Sequence, residues 1–318
     1  MSKKLLSIVL PSYNEEANIP LVYNELLKHI DKKSFDYEII FVNDGSVDNT
    51  WDEIEKLAKK NPLVKGINFS RNFGHHAALE AGLIAARGDI VVTMDSDLQH
   101  PPSLIPDLIE KWRNGADIVS TVRTHTVGVS FFKAVSSGLF YKMLNSLSEL
   151  ELKEGEADYR LLSRRALNSI NSLSESPKFY RGIVNWVGFN TERVEYTANE
   201  RIHGKSSYSL KKMIELARLG ITSFSMKPLK LIFSVGIGTT LLSFFALVLM
   251  IIVKIVVNPD YFSNNAILVT FLILITGILT TFQGVIAVYL VDIFHAAKNR
   301  PTYIIKDSLN DKDKTTTS

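Results

Sequence analysis

The sequence predicts an α/β fold with a doubly wound, mainly parallel sheet, followed by amphipathic interface helices and a two-helix transmembrane hairpin. Three observations predict it. Through residues 1–228, short apolar runs alternate with helical stretches of about 10–15 residues, the pattern of βαβ units. One run, Ile90 to Met94, is continuously apolar or β-branched, as expected of a strand buried on both faces, and passes directly into Asp95-Ser96-Asp97. Two late runs, Leu231–Val253 and Ala266–Val291, contain no Asp, Glu, Lys or Arg, and each exceeds the roughly 20 apolar residues of a bilayer crossing.

Taken in order, Leu5–Leu10 is a short strand ended by Pro11, and Ser12-Tyr13-Asn14-Glu15-Glu16 is a loop leading into an acidic first helical turn, with helix to about Ile30. Tyr37–Val42 is the second strand and ends in Asn43-Asp44-Gly45-Ser46. Asp48 or Asn49 opens the next helix, which runs to about Lys60. Val64–Phe69 is the third strand, joined by Arg71–His76 to a helix over Ala77–Arg87, which Gly88 stops. Asp117–Val122 is a further strand ending at Arg123. Ser130–Leu147 carries Phe131, Phe132, Val135, Leu139 and Phe140 on one side with Lys133 and Lys142 between them. That suits a helix on a membrane surface or a lid, with a plain core helix as the alternative.

Leu210–Phe224 reads as a second amphipathic helix, and Pro228 marks the step into the first span. Lys211, Lys212, Arg218, Lys227 and Lys230 precede that span and Lys298, Arg300 and Lys306 follow the second, while the loop Asn258–Asn265 has no Lys or Arg. The positive-inside rule then puts both termini in the cytoplasm. The expected divisions are a globular domain over 1–205, interface helices over 206–228, a hairpin over 229–292, and a polar tail over 293–318 that is disordered from Asp307 onward.

Composition removes several classes of function. Neither GxGxxG nor GxxxxGK[ST] occurs, so a dinucleotide enzyme and a P-loop NTPase are unsupported. The absence of cysteine excludes disulfides, thiol catalysis and Cys-ligated zinc. A net charge of +3 is too small to suggest nucleic acid. Met1–Lys4 leads into a strand, so no signal peptide is expected at that end.

What remains is the acidic pair. Ionised carboxylates at the end of a buried strand need a compensating partner, and ligands of open α/β sheets bind at that end. A divalent cation that also holds a diphosphate supplies the compensation. The plainer alternative is a solvated Asp-Ser-Asp turn before the next helix. Tyr13, Glu15 and Asp44 stand at neighbouring strand ends and are chemically suited to a nucleotide.

The stretches VLPSYNEEANI, EIIFVNDGSVDNT, SRNFGHHAALEAGL and MDSDLQHPP, in this order and spacing, resemble a family 2 glycosyltransferase of the GT-A fold. With EADYRLLSRRAL and the C-terminal pair of spans, the chain is similar to the polyisoprenyl-phosphate glycosyltransferases, among them dolichyl-phosphate mannose synthase and the bacterial undecaprenyl-phosphate glucosyltransferases. The resemblance implies that Pro11, Tyr13 and Glu15 face the nucleobase and ribose, with Asp44 binding there as well. Asp95 and Asp97 match the DxD pair that reaches Mg²⁺ or Mn²⁺, with Ser96 between them and Gln99 just beyond on the nucleotide-sugar side. Arg123 would meet phosphate. Lys133 and Arg201 would lie near the acceptor phosphate, although Ser207 stands where relatives have lysine. Asp158 matches a carboxylate that deprotonates an acceptor hydroxyl in a related class. A phosphate monoester acceptor, with second pKa near 6, needs little base, so Asp158 is equally suited to orienting Arg160, holding the sugar or taking a residual proton. His75 and His76 suit either a phosphate clamp or satisfied loop histidines and are left outside the expected site.

The implied activity is inverting transfer of a sugar, foremost from UDP-glucose, to undecaprenyl phosphate at the cytoplasmic face of a bacterial plasma membrane, by a homo-oligomer of tetrameric type. UDP-GlcNAc or GDP-mannose are the alternative donors. A processive polysaccharide synthase would carry a Q-x-x-R-W motif, and Arg181–Trp186 is not that motif. A non-catalytic nucleotide-sugar-binding scaffold is the remaining rival.

Overall fold

The computed structural model describes residues 3–125, 156–174, 178–197, 264–297 and 300–310, with isolated positions between 245 and 256. Strand β1 (Lys4–Ser12) leads through α1 (Asn18–His29) to β2 (Phe35–Asn43), and α2 (Thr50–Lys60) leads on to β3 (Val64–Phe69). Helix α3 (His75–Ala85) brings the chain back to β4 (Ile90–Thr93) on the other side of β1. A 3₁₀ turn at Pro102–Leu104 and α4 (Ile105–Arg113) precede β5 (Ile118–His125). Then come β6 (Glu156–Ser163), α5 (Arg164–Asn171), α6 (Tyr180–Trp186) and β7 (Thr191–Thr197). The last described elements are α7 (Asn264–Ala297) and β8 (Ile305–Leu309).

Among the described residues the strands form one sheet in the order β7-β5-β6-β4-β1-β2-β3-β8. Strands β7, β5, β4, β1, β2 and β3 share one direction, and β6 and β8 run against it. The sheet is thus mainly parallel, as expected. The reversal at β6 lets Asp158 enter the carboxyl edge of the sheet from the opposite direction.

Alternation along each strand divides the core into two layers. Leu6, Ile8, Leu10, Ile39, Phe41 and Val92 pack with Ile19, Val22 and Leu26 of α1, Ile54 of α2 and Leu108 of α4. Burying each such side chain contributes roughly 1.5–3 kcal/mol. The other face meets α3 so closely that a Cβ at Gly82 would lie 2.2 Å from Val9 Cγ1. Register finishes the work for function: Ser12 pairs with Asn43, and Val9 with Thr93. The loops after β1, β2 and β4 therefore open side by side at one edge.

The expected tail is different in the structure. Asp307, Ser308 and Leu309 belong to β8, which pairs antiparallel with β3 through Asn68↔Asp307, Ile67↔Ser308 and Gly66↔Leu309. An uncovered β3 would leave a row of backbone donors and acceptors unpaired, and β8 satisfies them. A polar composition says nothing about such a long-range pairing. Residues 311–318 lie outside the described residues.

Residues 301–310 fall within the same compact unit as the sheet, whereas α7 belongs to a second unit. In that second unit, α7 is an unbroken helix of 34 residues, about 50 Å long at 1.5 Å per residue. Leu268, Val269, Leu272, Leu279, Ile286, Leu290 and Ile293 are each more than half exposed on it. Counted over described residues only, no helix is long and apolar enough to cross a membrane. The first expected span, apart from isolated positions, and the amphipathic stretches at 130–147 and 206–228 lie outside the described residues.

Candidate active site

The loops after β1 and β2 are laced together by side chains bonded to backbone. Asn14, in the left-handed region at φ 57°, receives the Val47 amide on Oδ1 at 3.0 Å and donates its own amide to Ser46 Oγ at 2.9 Å. Asparagine tolerates that conformation better than most residues. The Glu15 amide donates to Thr50 Oγ1 at 2.8 Å. Tyr13 stays 45% exposed at the rim, free to meet a flat ligand, and Glu15 Oε2 accepts from Asn18 at 2.5 Å.

Asp44 is buried at the end of β2. It accepts the amides of Phe73 at 2.7 Å and Gly74 at 3.0 Å. Burial pushes its pKa up, while those two amides and the charges of His75 and Arg71 pull it down. Its first task is therefore to fix the loop that enters α3. Gly45 makes this approach possible: at φ +62°, a Cβ there would come within 2.2 Å of the Arg71 carbonyl carbon.

After β4 the acidic pair is firmly placed. Asp97 is buried, and its Oδ1 accepts the Gln99 amide at 3.1 Å. Leu98 between them sits at φ 60°, a conformation that costs a branched side chain energy and marks a constrained turn. The side chain of Asp95 is 38% exposed and its amide donates to Nδ1 of buried His100 at 3.0 Å. Burial lowers the His100 pKa against the opposing pull of Asp95 and Asp97. Its ring stacks on Tyr159 at 5.2 Å, whose hydroxyl donates to the Pro101 carbonyl at 3.0 Å. Ser96 is buried and engaged within the protein. Its hydroxyl is 2.6 Å from Ser12 Oγ and bonds the Pro11 carbonyl at 2.9 Å, so Pro11 and Ser96 tie two loops together inside the protein.

Asp158 comes from the reversed strand β6 and is held by two arginines. Arg160 Nη2 donates to Oδ1 at 3.2 Å, and Arg181 reaches Oδ2 through Nη2 at 2.9 Å and Nε at 3.2 Å. Burial opposes its charge, yet Arg181 and Arg160 outweigh it and hold the pKa well below the usual carboxylate value. His75 stands between the acidic groups, with Nε2 3.9 Å from Asp95 Oδ1 and 3.8 Å from Asp158 Oδ2. Behind it His76 is buried against Phe179, and desolvation lowers its pKa to about 4.

The fold gathers Asp95, Asp97, Asp158 and Asp44, expected from the sequence to share a site, at one sheet edge. Sequence reasoning missed Arg181 and His100 and left out His75. Nothing local marks Arg181, which is recruited across the fold from 23 residues away, whereas His100 lies in the same turn as Asp95. Arg123, at the end of β5, pairs in register with Tyr196 of β7 and shares a side-chain hydrogen bond with it. Lys133 and Arg201 lie outside the described residues.

The donor set fits a metal that a ligand completes. Asp95 and Asp97 are hard oxygen donors at a partly open edge, and among the described residues no group of three or more metal-binding side chains converges. Mg²⁺ or Mn²⁺ held by one or two carboxylates plus phosphate oxygens matches that arrangement, and a closed structural metal site does not. At the opposite, amino edge of the sheet, a cavity of about 590 Å³ is lined by Lys4, Phe35, Asp89, Trp112, Asp117 and Arg165 among others. Its carboxylates are already engaged, Asp117 by Arg165 and Asp89 by the Leu5 amide.

Residues 7–170 match the model of the family described as Glycosyl transferase family 2. An uncharacterized glycosyltransferase, YkcC, of Bacillus subtilis is 39% identical over 97% of this chain and 95% of its own. The SfII prophage-derived bactoprenol glucosyl transferase of Shigella flexneri is 40% identical over 95% of this chain and 98% of its own. A prophage bactoprenol glucosyl transferase homolog of Escherichia coli is 38% identical over the same shares. With an acidic pair at the carboxyl edge of a mainly parallel sheet and end-to-end likeness to such relatives, the chain belongs to glycosyl transferase family 2 and is a glycosyltransferase.

Proposed function

We propose that the enzyme transfers glucose from UDP-glucose to undecaprenyl phosphate, with inversion, at the cytoplasmic surface of a bacterial plasma membrane. The observation that carries the chemistry is the alignment of Asp95 and Asp158 on either side of His75, with Arg181 and Arg160 holding Asp158 ionised. The choice of glucose and of a polyprenyl phosphate rests on the relatives named bactoprenol glucosyl transferases.

The reaction is a single in-line displacement. An oxygen of the lipid phosphate attacks the anomeric carbon, the bond from that carbon to the donor's diphosphate breaks, and UDP leaves with the electron pair. A phosphate monoester with a second pKa near 6 is largely dianionic at neutral pH, so the nucleophile arrives charged. An ionised carboxylate fixed by two guanidinium groups is a poor proton acceptor. Asp158 therefore acts as an anchor that aims Arg181 and Arg160 and orients the reacting groups. A divalent cation bound at Asp95 and Asp97 would neutralise charge on the departing diphosphate. Tyr13, Glu15 and the Asp44 loop receive the nucleoside, and Gln99 lies beside the sugar. Arg123, Lys133 and Arg201 meet the acceptor phosphate.

The apolar exposed side chains of α7 suit lipid, and the charge-free runs at 231–253 and 266–291 suit two crossings with the catalytic domain cytoplasmic. Holding the active site at headgroup depth raises the effective concentration of a lipid whose chain is immersed in the bilayer. We also infer a homo-oligomer, on family resemblance. A donor screen tests the specificity: purified full-length enzyme with polyprenyl phosphate receives UDP-glucose, UDP-GlcNAc or GDP-mannose in turn. Preference for UDP-glucose by at least about tenfold in kcat/KM is expected, and preference for another donor overturns the sugar assignment.

A further inference from the structure

Strand β8 and the two residues that lead into it, Tyr303 and Ile304, pack against the segments that shape the nucleoside side of the site. Tyr303 stacks on Phe69 with centroids 4.9 Å apart and planes 13° from parallel, and Phe69 meets Phe73 edge-on at 5.8 Å. The Ser70 amide donates to the Ile304 carbonyl at 3.0 Å. Asn68 Nδ2 donates to Asp307 Oδ2 at 3.2 Å, and Asn68 Oδ1 accepts from Asn43 Nδ2 at 2.8 Å. Asn43 immediately precedes Asp44, and Asp44 in turn holds the amides of Phe73 and Gly74. The Asp44 turn is thus tied to the segment Tyr303–Asp307 by two routes. One runs through Asn43, Asn68 and Asp307, and the other through Phe73, Phe69 and Tyr303.

We propose that Tyr303 and Asp307 are positioning residues for the donor: Tyr303 and strand β8 together hold the Asn43–Gly45 and Ser70–Gly74 loops in the geometry that receives the nucleoside diphosphate. Loops without regular structure take their geometry from such long-range contacts. The chain segment that follows the apolar helix α7 therefore completes the nucleotide side of a site whose other nucleotide-facing parts all precede residue 100. Residues 1–205 alone lack this support. The inference rests on the proposed function only in taking a nucleoside diphosphate as the ligand of that edge.

The test uses full-length enzyme in detergent and UDP as the probe, comparing wild type with Tyr303→Ala, Tyr303→Phe and Asp307→Ala. Calorimetry reads UDP affinity, a transfer assay separates donor KM from kcat, and deuterium exchange follows the Phe73 and Gly74 amides. Tyr303→Ala is expected to weaken UDP binding and raise donor KM about tenfold, with kcat changed less than about twofold. Exchange at the two amides should quicken. Tyr303→Phe keeps the stacked ring and should behave as wild type. Asp307→Ala removes only an exposed side chain and should shift donor KM in the same direction; it carries the test if Tyr303→Ala does not fold. Folded variants with wild-type UDP affinity, donor KM and exchange overturn the inference, as does a loss confined to kcat. If wild type binds UDP yet transfers no glucose, the acceptor reading fails while the binding and exchange results still decide this one.

Discussion

Arg181 grips Asp158 at two points, Nη2 at 2.9 Å and Nε at 3.2 Å from the same carboxylate oxygen. Both are largely shielded from water, with side chains 20% and 8% exposed. Removing one partner of a buried pair typically costs 3–5 kcal/mol, and Arg160 still faces Asp158, so Arg181→Ala is expected to lose about 3 kcal/mol of stability, the low end of that range. Arg181→Lys retains charge but not the planar two-point hold, and should lower kcat/KM about 10²-fold. With less opposing charge geometry, the Asp158 pKa rises, so the acidic limb of the pH–rate profile should move to higher pH. A variant with an unmoved limb and full activity would show that the pair is only structural.

Asp158→Asn separates anchoring from base catalysis. The amide keeps the shape but cannot hold two guanidinium groups, so transfer should fall by about 10²–10³-fold yet stay measurable. The lipid phosphate is already dianionic near neutrality, and raising the pH should restore little. Recovery to near wild-type rates at alkaline pH would instead make Asp158 the base.

His76 gives a pH dependence of stability whose sign is fixed. Its folded pKa, lowered to about 4 by burial, lies below the unfolded value of 6.5, so the unfolded state binds the proton more readily. Stability is full above pH 6.5 and declines as the pH falls toward 4, by roughly 3 kcal/mol at most. Thermal unfolding midpoints at pH 7.5 and pH 5 should differ more for wild type than for His76→Gln. Equal shifts in both proteins would assign the acid sensitivity elsewhere.

Much of this fold was legible because β1 to β4 announce themselves locally. Val64–Phe69 has the expected bounds, and the run Ile90–Met94 leads into the acidic pair as a buried strand should. Asp158 was legible only through its motif. What the residues could not announce is pairing between distant segments. Ile305–Leu309 looks polar and unremarkable until β3 offers it an unpaired edge. Arg181, His75 and His100 gain their meaning only when β6, α3 and the turn after β4 meet. The bond from Ser96 to the Pro11 carbonyl was equally illegible, since it joins segments 85 residues apart.

The most direct measurement is the transfer of radiolabelled glucose from UDP-glucose into organic-extractable lipid by purified full-length enzyme supplied with undecaprenyl phosphate. Label should enter the lipid only with Mg²⁺ or Mn²⁺ present, and Asp97→Asn should reduce it by at least about 10³-fold while UDP-glucose remains unconsumed. Full labelling of the lipid in excess EDTA, or consumption of UDP-glucose by wild type with no label in lipid, would contradict it.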